Sequence, residues 1–487
     1  MQATATKRAD ADTPRFLHRK FEAPVLSEGV VVDEDVSSAL DDLDAWQLCL
    51  LSAPSGSGKS ALMATWHGIF EARADTQAFW LCLDEHDGDP TRFMRALMQS
   101  LARKEERFET LASEEDAARV TNWESLAVDF VNLADEVFGP QRQAIIFIDD
   151  YNLATCAALD EAVAFLSKNL SDDVRLVLSG SYLPEAISDL TIALPAVEIE
   201  GSDIALTSQR LRELCDKLGL NPDEPALHGL LDDAVWPIFP IFLKYSLDKA
   251  KEEADVGRLM EGYCSRFFEK EVMARATEEE RRFLIRSSLL EVLAPDACDA
   301  ILGEPDSERI LDNVTRRGLF VYYDRDARVY RCDPFMRRYL LGVLLREHRK
   351  EVFNLADRAS RWFGAQGRRA EQAKYIIATC DPLYIEGTVG GSAGLQLDDK
   401  GGDLLARVLS GPASEIADNA FLSWAAVWAC ISTGLVDEAR AWLTVLQDMD
   451  DTSADPRAFA FADALCLALE GDRLGSLRGI KEVQEDD

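Results

Sequence analysis

The chain has 487 residues, 47% of them hydrophobic, and carries 52 Lys+Arg against 87 Asp+Glu. This length exceeds what one hydrophobic core supports, so about three or four domains are expected. A net charge of −35 argues against nucleic acid or an anionic membrane as a partner. The ten cysteines include no CxxC pair, which predicts reduced thiols and no zinc site. Without a long apolar run, a cytoplasmic location is expected.

The first strong pattern in chain order is a strand, a turn of small residues and a helix. Residues 1–28 are mostly polar and predict a loose leader. The predicted strand Trp46–Ser52 follows, and Lys59 and Ser60 open the helix. The backbone N–H groups of such a turn bind phosphate, Lys59 would reach the β- and γ-phosphates, and the Ser60 hydroxyl would ligate Mg²⁺. The residues predicted to contact the nucleotide are Ala53, Pro54, Ser55, Gly56, Ser57, Gly58, Lys59, Ser60 and Ala61.

That turn departs from the strict phosphate-loop pattern at one position, because Ala53 stands where the pattern has glycine. A Gly/Ser turn that merely precedes Lys-Ser is the alternative. The apolar strand before the turn and the helix after it favour the phosphate loop.

A second apolar strand, Ala144–Ile148, ends in two carboxylates, Asp149 and Asp150. Acids at the carboxyl end of a buried parallel strand lie where ligands collect in an open α/β sheet. Asp149 would hold magnesium through its water shell, opposite Ser60. Asp150 would orient or deprotonate an attacking water, so Asp150 and Lys59 are the predicted catalytic residues. Together these features predict a protein that binds a nucleoside triphosphate with Mg²⁺.

Three more predicted strands alternate with helices: Ala78–Leu83, Val174–Ser179 and Ala196–Glu200. This βα alternation predicts a five-stranded parallel sheet, an α/β P-loop NTPase domain over residues 29–205. A helical domain is predicted over 206–265. Within it the segment Val235–Leu243 contains two prolines, which predict a kinked start of the next helix.

Residues 266–350 have the order of a winged-helix domain. A capping box at Thr277 opens the first helix, and the helices Asp296–Leu302 and Ser307–Arg317 precede a hairpin. The third helix mixes acids with arginines, which favours internal packing over DNA recognition. Residues 351–487 predict short helices around a flexible loop, Gly387–Gly394, with a tetratricopeptide-like hairpin beginning at Ala420 in an array that looks cut short.

The order of these elements resembles the STAND class of signal-transduction ATPases, in particular maltose-regulon-activator-like regulators with a LuxR-type C-terminus. The segments similar to family motifs are Lys20–Pro24, Leu83–Phe93, Ile148–Tyr151, Phe283–Leu290, Arg317–Val321 and Arg358–Gly367. The resemblance implies an ATP-driven switch that is closed with ADP. An inducer on the helical arm would promote exchange for ATP and self-association, and slow hydrolysis would reset the switch. No basic helix-turn-helix is visible, so this chain itself is not expected to bind DNA, nor a membrane.

Several positions depart from the family pattern. Asp33 and Asp35 replace arginines, Gly180 replaces an arginine that contacts the γ-phosphate, and Asp333 replaces a histidine that contacts the β-phosphate. The family's Gly-Trp-Pro is Val-Trp-Pro here, which leaves Pro237 as an expected nucleotide contact. An acid about 4 Å from a phosphate costs roughly 1–4 kcal/mol. Either the pocket then binds nucleotide weakly, or other cations, Arg175 and Arg337, take over.

Two alternatives therefore stand beside the switch. One is a nucleotide-blind helical scaffold with a degenerate phosphate loop. The other is a metabolic P-loop kinase, which would carry an arginine-rich lid that the sequence after Asp150 lacks.

Overall fold

The computed structural model describes residues 16–26, 36, 38–112, 122–221, 235–251, 254–324, 327–379, 408–449, 456–472 and 475–478. The chain forms two compact units, Met1–Tyr263 with Arg316–Gly318, and Cys264–Thr315 with Leu319–Asp487. The amphipathic pattern of Ala226–Ala234 predicts a helix, but this segment lies outside the described residues. The same holds for Asp33, Asp35 and the predicted loop Gly387–Gly394.

The first unit is built on a five-stranded parallel sheet. Its strands are β1 (Leu48–Ser52), β2 (Thr76–Cys82), β3 (Gln143–Asp149), β4 (Val174–Gly180) and β5 (Ala196–Glu200). The spatial order is β2-β3-β4-β1-β5, so β1 lies between β4 and β5. Every residue of β4 is buried, as expected for a strand covered on both faces. The predicted doubly wound sheet is confirmed, with strand ends shifted by at most two residues.

Helices cover both faces of this sheet. The helices of six or more residues in the first unit are α1 (Lys59–Glu71), α2 (Pro90–Ala102), α3 (Arg107–Ala112), α4 (Trp123–Val137), α5 (Ala157–Asn169), α6 (Ser208–Leu218) and α7 (Ile238–Lys249), followed by α8 (Ala254–Phe268). Alternate residues of β1 enter two separate cores. Leu48 and Leu50 pack with Phe93, whereas Cys49 and Leu51 pack with Trp66. This is the period-2 alternation of a strand between two helical layers.

The amino-terminal segment differs from its prediction. His18–Phe21 forms a short 3₁₀ turn rather than part of a loose leader. The turn is ordered because Phe21 joins the core that contains β2 residues Phe79 and Leu81, while the side chain of Lys20 is 6% exposed and pairs with carboxylates.

The two prolines of the segment Val235–Leu243 lie at the start of a helix and do not interrupt its interior. Helix α7 begins at Ile238 directly after Pro237, and Pro240 falls in its first turn. The N–H groups of a first turn have no intrahelical partner, so a proline there removes no helix hydrogen bond.

The second unit contains the winged-helix order predicted from the sequence. Its elements are a π-helical turn Glu269–Met273, α9 (Glu278–Ser287), α10 (Pro295–Leu302), α11 (Ser307–Arg316), β6 (Val321–Asp324), β7 (Val329–Cys332) and α12 (Pro334–Glu347). The Thr277 capping box is confirmed, since Thr277 Oγ1 accepts the Glu280 N–H and Thr277 N–H donates to Glu280 Oε2 at 2.8 Å. Helix α12 was not predicted.

Further helices follow: α13 (Arg349–Ala365), α14 (Arg369–Thr379), α15 (Ala420–Thr433), α16 (Val436–Gln447) and α17 (Pro456–Leu469). In α15 the ten consecutive residues 421–430 are all buried. Gly434, with φ +77°, ends α15 and starts the turn to α16. Across the described ranges, none of the helices combines the length and apolarity needed to cross a membrane.

Candidate nucleotide-binding site

The strand order brings the loops after β1, β3 and β4 to one edge of the sheet. In the register, Leu51 of β1 pairs with Ser179 of β4, and Ile148 of β3 pairs with Leu178. Asp149 therefore ends β3 beside Ser179, and the turn that begins at Ala53 starts beside Gly180. The predicted phosphate loop and the two carboxylates thus share one edge, as ligand sites of open α/β sheets do.

The loop between β1 and α1 has the backbone of a phosphate cradle. Gly56 and Gly58 adopt φ +78° and +96°, a left-handed conformation that glycine adopts without steric cost. The Ser57 N–H donates to Pro54 O at 3.2 Å and closes the turn. Gly58 is the N-cap of α1, which places Lys59, Ser60 and Ala61 in its first turn. The N–H groups of that turn lack intrahelical acceptors and carry the positive end of the helix dipole.

Two side chains of the loop test whether it fits a phosphate. The Ser57 hydroxyl is buried, with the residue 3% exposed, and has no hydrogen-bond partner among the described residues. Lys59 Nζ donates to Ala53 O at 2.7 Å and to Pro54 O at 3.1 Å, so the ammonium lies over the loop itself. A buried hydroxyl without a partner costs about 1–3 kcal/mol. A phosphate oxygen in the loop would supply the missing acceptor, so the residues present fit the group.

The two predicted carboxylates differ in their surroundings. Asp149 is buried and accepts hydrogen bonds from the Ser179 hydroxyl and, at 3.0 Å, from the Asp150 N–H. Asp150 is half-buried, with φ +57°, a conformation that costs a non-glycine residue about 1 kcal/mol or more. Its Oδ2 lies 3.6 Å from Cys82 Sγ. Burial, and then the charges of Asp150 and Asp149, raise the pKa of the Cys82 thiol to about 12, so the thiol stays protonated.

Magnesium at this edge would depend on few protein ligands. Within the described residues, no group of three His, Cys, Asp or Glu side chains converges to hold a metal ion. Mg²⁺ usually keeps several waters and binds one or two protein groups together with phosphate oxygens. Ser60 and Asp149 are the predicted protein groups.

The segment before α7 covers the loop. Ile238 N–H donates to Gly56 O at 3.3 Å, and Pro237 Cγ would lie 3.8 Å from a Cβ on Gly58. A Cβ on Gly201 would lie 3.2 Å from Trp236 Cη2 and 3.4 Å from Pro54 Cδ. Pro237, expected at the nucleotide from the family resemblance, therefore lies against the last glycine of the loop.

Gly180 has a steric reason to be glycine. A Cβ there would lie 2.6 Å from Tyr182 O and 3.0 Å from Asn152 Oδ1, so neither an arginine nor any other side chain fits this backbone. The Asn152 carboxamide accepts the Ser181 N–H at 2.7 Å and joins the loop after β3 to the loop after β4. This hydrogen bond was not predicted from the sequence, because its two partners are 29 residues apart.

Asp333 has a different role from the repulsive one expected of it. Its Oδ1 accepts the N–H groups of Phe335 at 3.0 Å and Met336 at 3.1 Å, which makes it the N-cap of α12. Its carboxylate is committed to the start of this helix, with the residue 1% exposed.

The two arginines considered as substitutes both donate to backbone carbonyl groups. Arg175 Nε donates to Leu43 O at 2.8 Å and Trp46 O at 3.0 Å, near the amino end of β4, whereas the phosphate loop follows the carboxyl end of β1. The Arg337 guanidinium donates to three backbone carbonyls, those of Leu290 at 2.9 Å, Leu409 at 2.7 Å and Ser410 at 3.1 Å.

Asp84, Asp87 and Asp89 precede Pro90, a favoured first residue of a helix, so the sequence predicts that these acids cap the helix that begins there. This holds for Asp89 alone. Asp89 Oδ1 accepts the Thr91 N–H at 2.9 Å, with Pro90 as the first helical residue. Asp84 and Asp87 instead bind the ammonium of Lys20. Burial raises the pKa of Asp84, but hydrogen bonds from Lys20 and from the His86 N–H outweigh it and hold that pKa below its usual value.

The sheet order, the cradle of left-handed glycines and the carboxylates after β3 define a P-loop NTPase fold. Residues 269–352 match the family described as the MalT winged helix domain. The chain is 26% identical over 375 residues to the HTH-type transcriptional regulator MalT of Cronobacter sakazakii, covering 75% of this chain and 41% of that protein. It is 25% identical over 377 residues to the MalT of Serratia proteamaculans, covering 74% and 40%.

The chain thus spans about two fifths of the length of these curated relatives. Its similarity to MalT-type regulators, indicated by the motifs, is confirmed by the winged-helix match and by these alignments. Two solved structures are also similar. One is a Walker-type ATPase of Pyrococcus abyssi, with a TM-score of 0.47 and 13% identity, covering 63% of this chain and 95% of that chain. The other is a STAND protein with a tetratricopeptide repeat sensor from Pyrococcus horikoshii, with a TM-score of 0.33 and 15% identity, covering 95% and 66%.

Proposed function

We propose that this chain is the nucleotide-controlled switch of a MalT-like transcriptional regulator, which binds ATP or ADP with Mg²⁺. The observation that carries the proposal is the buried Ser57 hydroxyl, which has no acceptor among the described residues, inside a loop of left-handed glycines. Similarity to proteins named as transcriptional regulators over three quarters of the chain supports the regulatory role.

In this proposal each side chain of the site has one task. The Ser57 hydroxyl and the N–H groups of the loop donate to phosphate oxygens, and Lys59 moves from the Ala53 and Pro54 carbonyls to the terminal phosphates. Ser60 and Asp149 would hold Mg²⁺, which would neutralise charge on the phosphates. Asp150 orients an attacking water, and Pro237 contacts the nucleotide.

The same proposal assigns regulation to the helical arm. An inducer on residues 351–487 would control exchange of ADP for ATP, and the ATP state would self-associate. The domains would be the NTPase domain at 29–205, a helical domain at 206–265, the winged helix at 266–350 and the arm. DNA binding would belong to a helix-turn-helix domain of the kind named for the relatives, and not to the residues of this chain.

Calorimetric titration with Mg·ATP and with ADP tests the proposal. We expect Lys59→Ala to weaken binding at least tenfold, because it removes the ammonium that balances phosphate charge. Lys168→Ala is the matched control, since Lys168 is an exposed lysine on α5. Thermal unfolding of both variants checks that the fold is kept. A wild-type chain that binds neither nucleotide at millimolar concentration would refute the switch and favour the nucleotide-blind scaffold.

A turnover assay separates the switch from a kinase. We expect slow ATP hydrolysis that Asp150→Asn abolishes while nucleotide affinity is kept. Phosphate transfer to an added small molecule, instead of to water, would favour the metabolic kinase.

A further inference from the structure

Two sequence segments singled out by the family resemblance meet at one ion cluster, which is centred on the buried carboxylate of Asp87. Lys20 Nζ lies 2.7 Å from Asp84 Oδ2 and also binds Asp87 Oδ2. Arg92 Nε lies 3.2 Å from the other oxygen of Asp87, which is fully buried. The Arg92 guanidinium lies 4.7 Å from the ring centroid of Phe16. We name residues 16–21 the strap. The strap contacts the loop 84–88 through the ion pairs of Lys20, and it contacts Arg92 through the ring of Phe16.

The loop 84–88 in turn contacts the segment that follows the candidate catalytic acid. A Cβ on Gly88 would lie 3.1 Å from Ala154 O, and Cys156 Sγ donates to Gly88 O at 2.9 Å. At the root of the loop, Leu83 N–H donates to Asp149 O at 2.9 Å. Between these points lies Asp150, in its left-handed conformation, with Cys82 beside its carboxylate.

We propose that Lys20 is a positioning residue for Asp150. Asp87 is a fully buried carboxylate with two cationic partners, Lys20 and Arg92, and the loss of one of them leaves its charge only partly compensated, which is unfavourable in a buried position. Removal of the Lys20 ammonium forces Asp87 to seek water, and the loop 84–88 moves with it. The support of the segment 150–156 is then lost on the β2 side, while Tyr151 stays hydrogen-bonded to Asp160 at 2.7 Å on the α5 side. The strained turn at Asp150 loosens on one side.

The effect is local because the strap is small and peripheral. It contains one four-residue 3₁₀ turn, His18–Phe21, packed on β2, an edge strand of the sheet. Arg92 remains on Asp87 when Lys20 is changed. The phosphate loop follows β1, with β3 and β4 between it and β2. The strap therefore acts on the carboxylate turn and not on the loop that binds phosphate. This inference rests on the proposed function only in assigning Asp150 a role in nucleotide turnover.

Hydrogen exchange of the full chain tests the geometric part. The amides of Leu153 and Ala154 donate to Asp150 O at 2.9 Å and Tyr151 O at 3.1 Å, so they report on the turn. In Lys20→Met we expect both amides to exchange at least tenfold faster, with β1 and β5 unchanged. Lys20→Arg restores protection, and Arg19→Met, an exposed cation of the same turn, leaves it intact. Unchanged exchange at Leu153 and Ala154, or equal acceleration throughout the sheet, overturns the proposal.

Steady-state ATP turnover tests the functional part. We expect Lys20→Met to lower kcat about tenfold with KM for ATP within twofold of wild type, and Lys20→Arg to recover most of kcat. Equal losses in nucleotide binding and turnover would overturn the positioning role. If the wild-type chain itself does not turn over ATP, the proposed function fails at that step, and the exchange experiment alone decides whether the strap holds the turn.

Discussion

The hydroxyl of Ser179 on β4 donates a hydrogen bond to the buried carboxylate of Asp149 on β3. The backbone N–H of Asp150 donates to the same oxygen, Oδ1. Because β4 lies between β3 and β1, this hydroxyl fixes the carboxylate on the side that faces the phosphate loop. Ser179 is a fully buried strand residue, and its hydroxyl orients the predicted metal ligand Asp149.

We predict that Ser179→Ala lowers the free energy of unfolding by about 1–3 kcal/mol, because it leaves a buried carboxylate short of one donor. Magnesium-dependent nucleotide binding should weaken severalfold, whereas metal-free binding stays the same. Urea unfolding and titrations with and without Mg²⁺ measure the two effects. Ser167→Ala is the control, since its buried hydroxyl donates only to a helix carbonyl, Val163 O at 2.9 Å. Equal metal dependence in both variants would contradict the orienting role.

We predict that Gly180→Ala destabilises the chain by about 1–3 kcal/mol, because the new Cβ would overlap Tyr182 O and force the backbone to shift. The shift should also break the bond between Asn152 and the Ser181 N–H. Gly68→Ala is the matched control within α1, where a Cβ meets nothing within 4 Å. It should stabilise the chain by about 0.5–1 kcal/mol. Chemical denaturation measures the change in the free energy of unfolding for Gly180→Ala and for Gly68→Ala. The prediction requires that these two changes have opposite signs.

We predict that Asp333→Ala lowers stability by about 1–2 kcal/mol, because two N–H groups at the start of α12 lose their acceptor. Asp333→Asn should keep most of the stability, since a carboxamide oxygen can accept the same bonds. Urea denaturation compares the two variants. If both lose the same stability, the negative charge rather than the cap matters at this position.

We predict that Lys374 gives the second unit a stability that rises with pH above neutrality. Its residue is fully buried, and its ammonium binds Glu291 and, at 2.7 Å, Gly411 O. Burial, reinforced by Arg337 and opposed by Glu291, lowers its pKa from 10.5 to about 8. Because the folded pKa lies below the unfolded one, the unfolded state binds more protons between these values, and stability increases as pH rises through this window.

The measurement is the free energy of unfolding at pH 8 and pH 10.5, compared with Lys374→Met. The difference between wild type and variant should grow by about 2–3 kcal/mol in favour of wild type, from the size of the shift. The variant removes the group while leaving all other titrations in place, so a difference that stays constant with pH would contradict the prediction.

The features predicted correctly from the sequence are those with local causes. An apolar run of five residues specifies a buried strand wherever it lies, and the small residues before Lys59 specify a turn because only their backbone can adopt it. The Thr277 capping box and Asp89 with Pro90 are start signals confined to four residues.

The features that were missed depend on contacts distant in sequence. Lys20 and Asp87 are 67 residues apart, and nothing in either segment alone indicates the other, so Asp87 was assigned to a nearer helix. Asp333 is a different case. An aspartate directly before a proline is a local signal for the start of a helix, and Asp333 with Pro334 has this pattern. The family pattern placed a phosphate contact at this position instead, so α12 was not predicted.

The strand order described above also constrains how the chain is made. β1 hydrogen-bonds only with β4 and β5 in the sheet, so its neighbours are not translated until about 120 to 150 residues later. During synthesis β2 and β3 can pair first. β1 is made earlier, and its backbone hydrogen-bonding groups have no strand partner until β4 and β5 are made. The candidate nucleotide-binding site, which needs the loops after β1 and β3 together, is therefore completed only when β4 inserts between them.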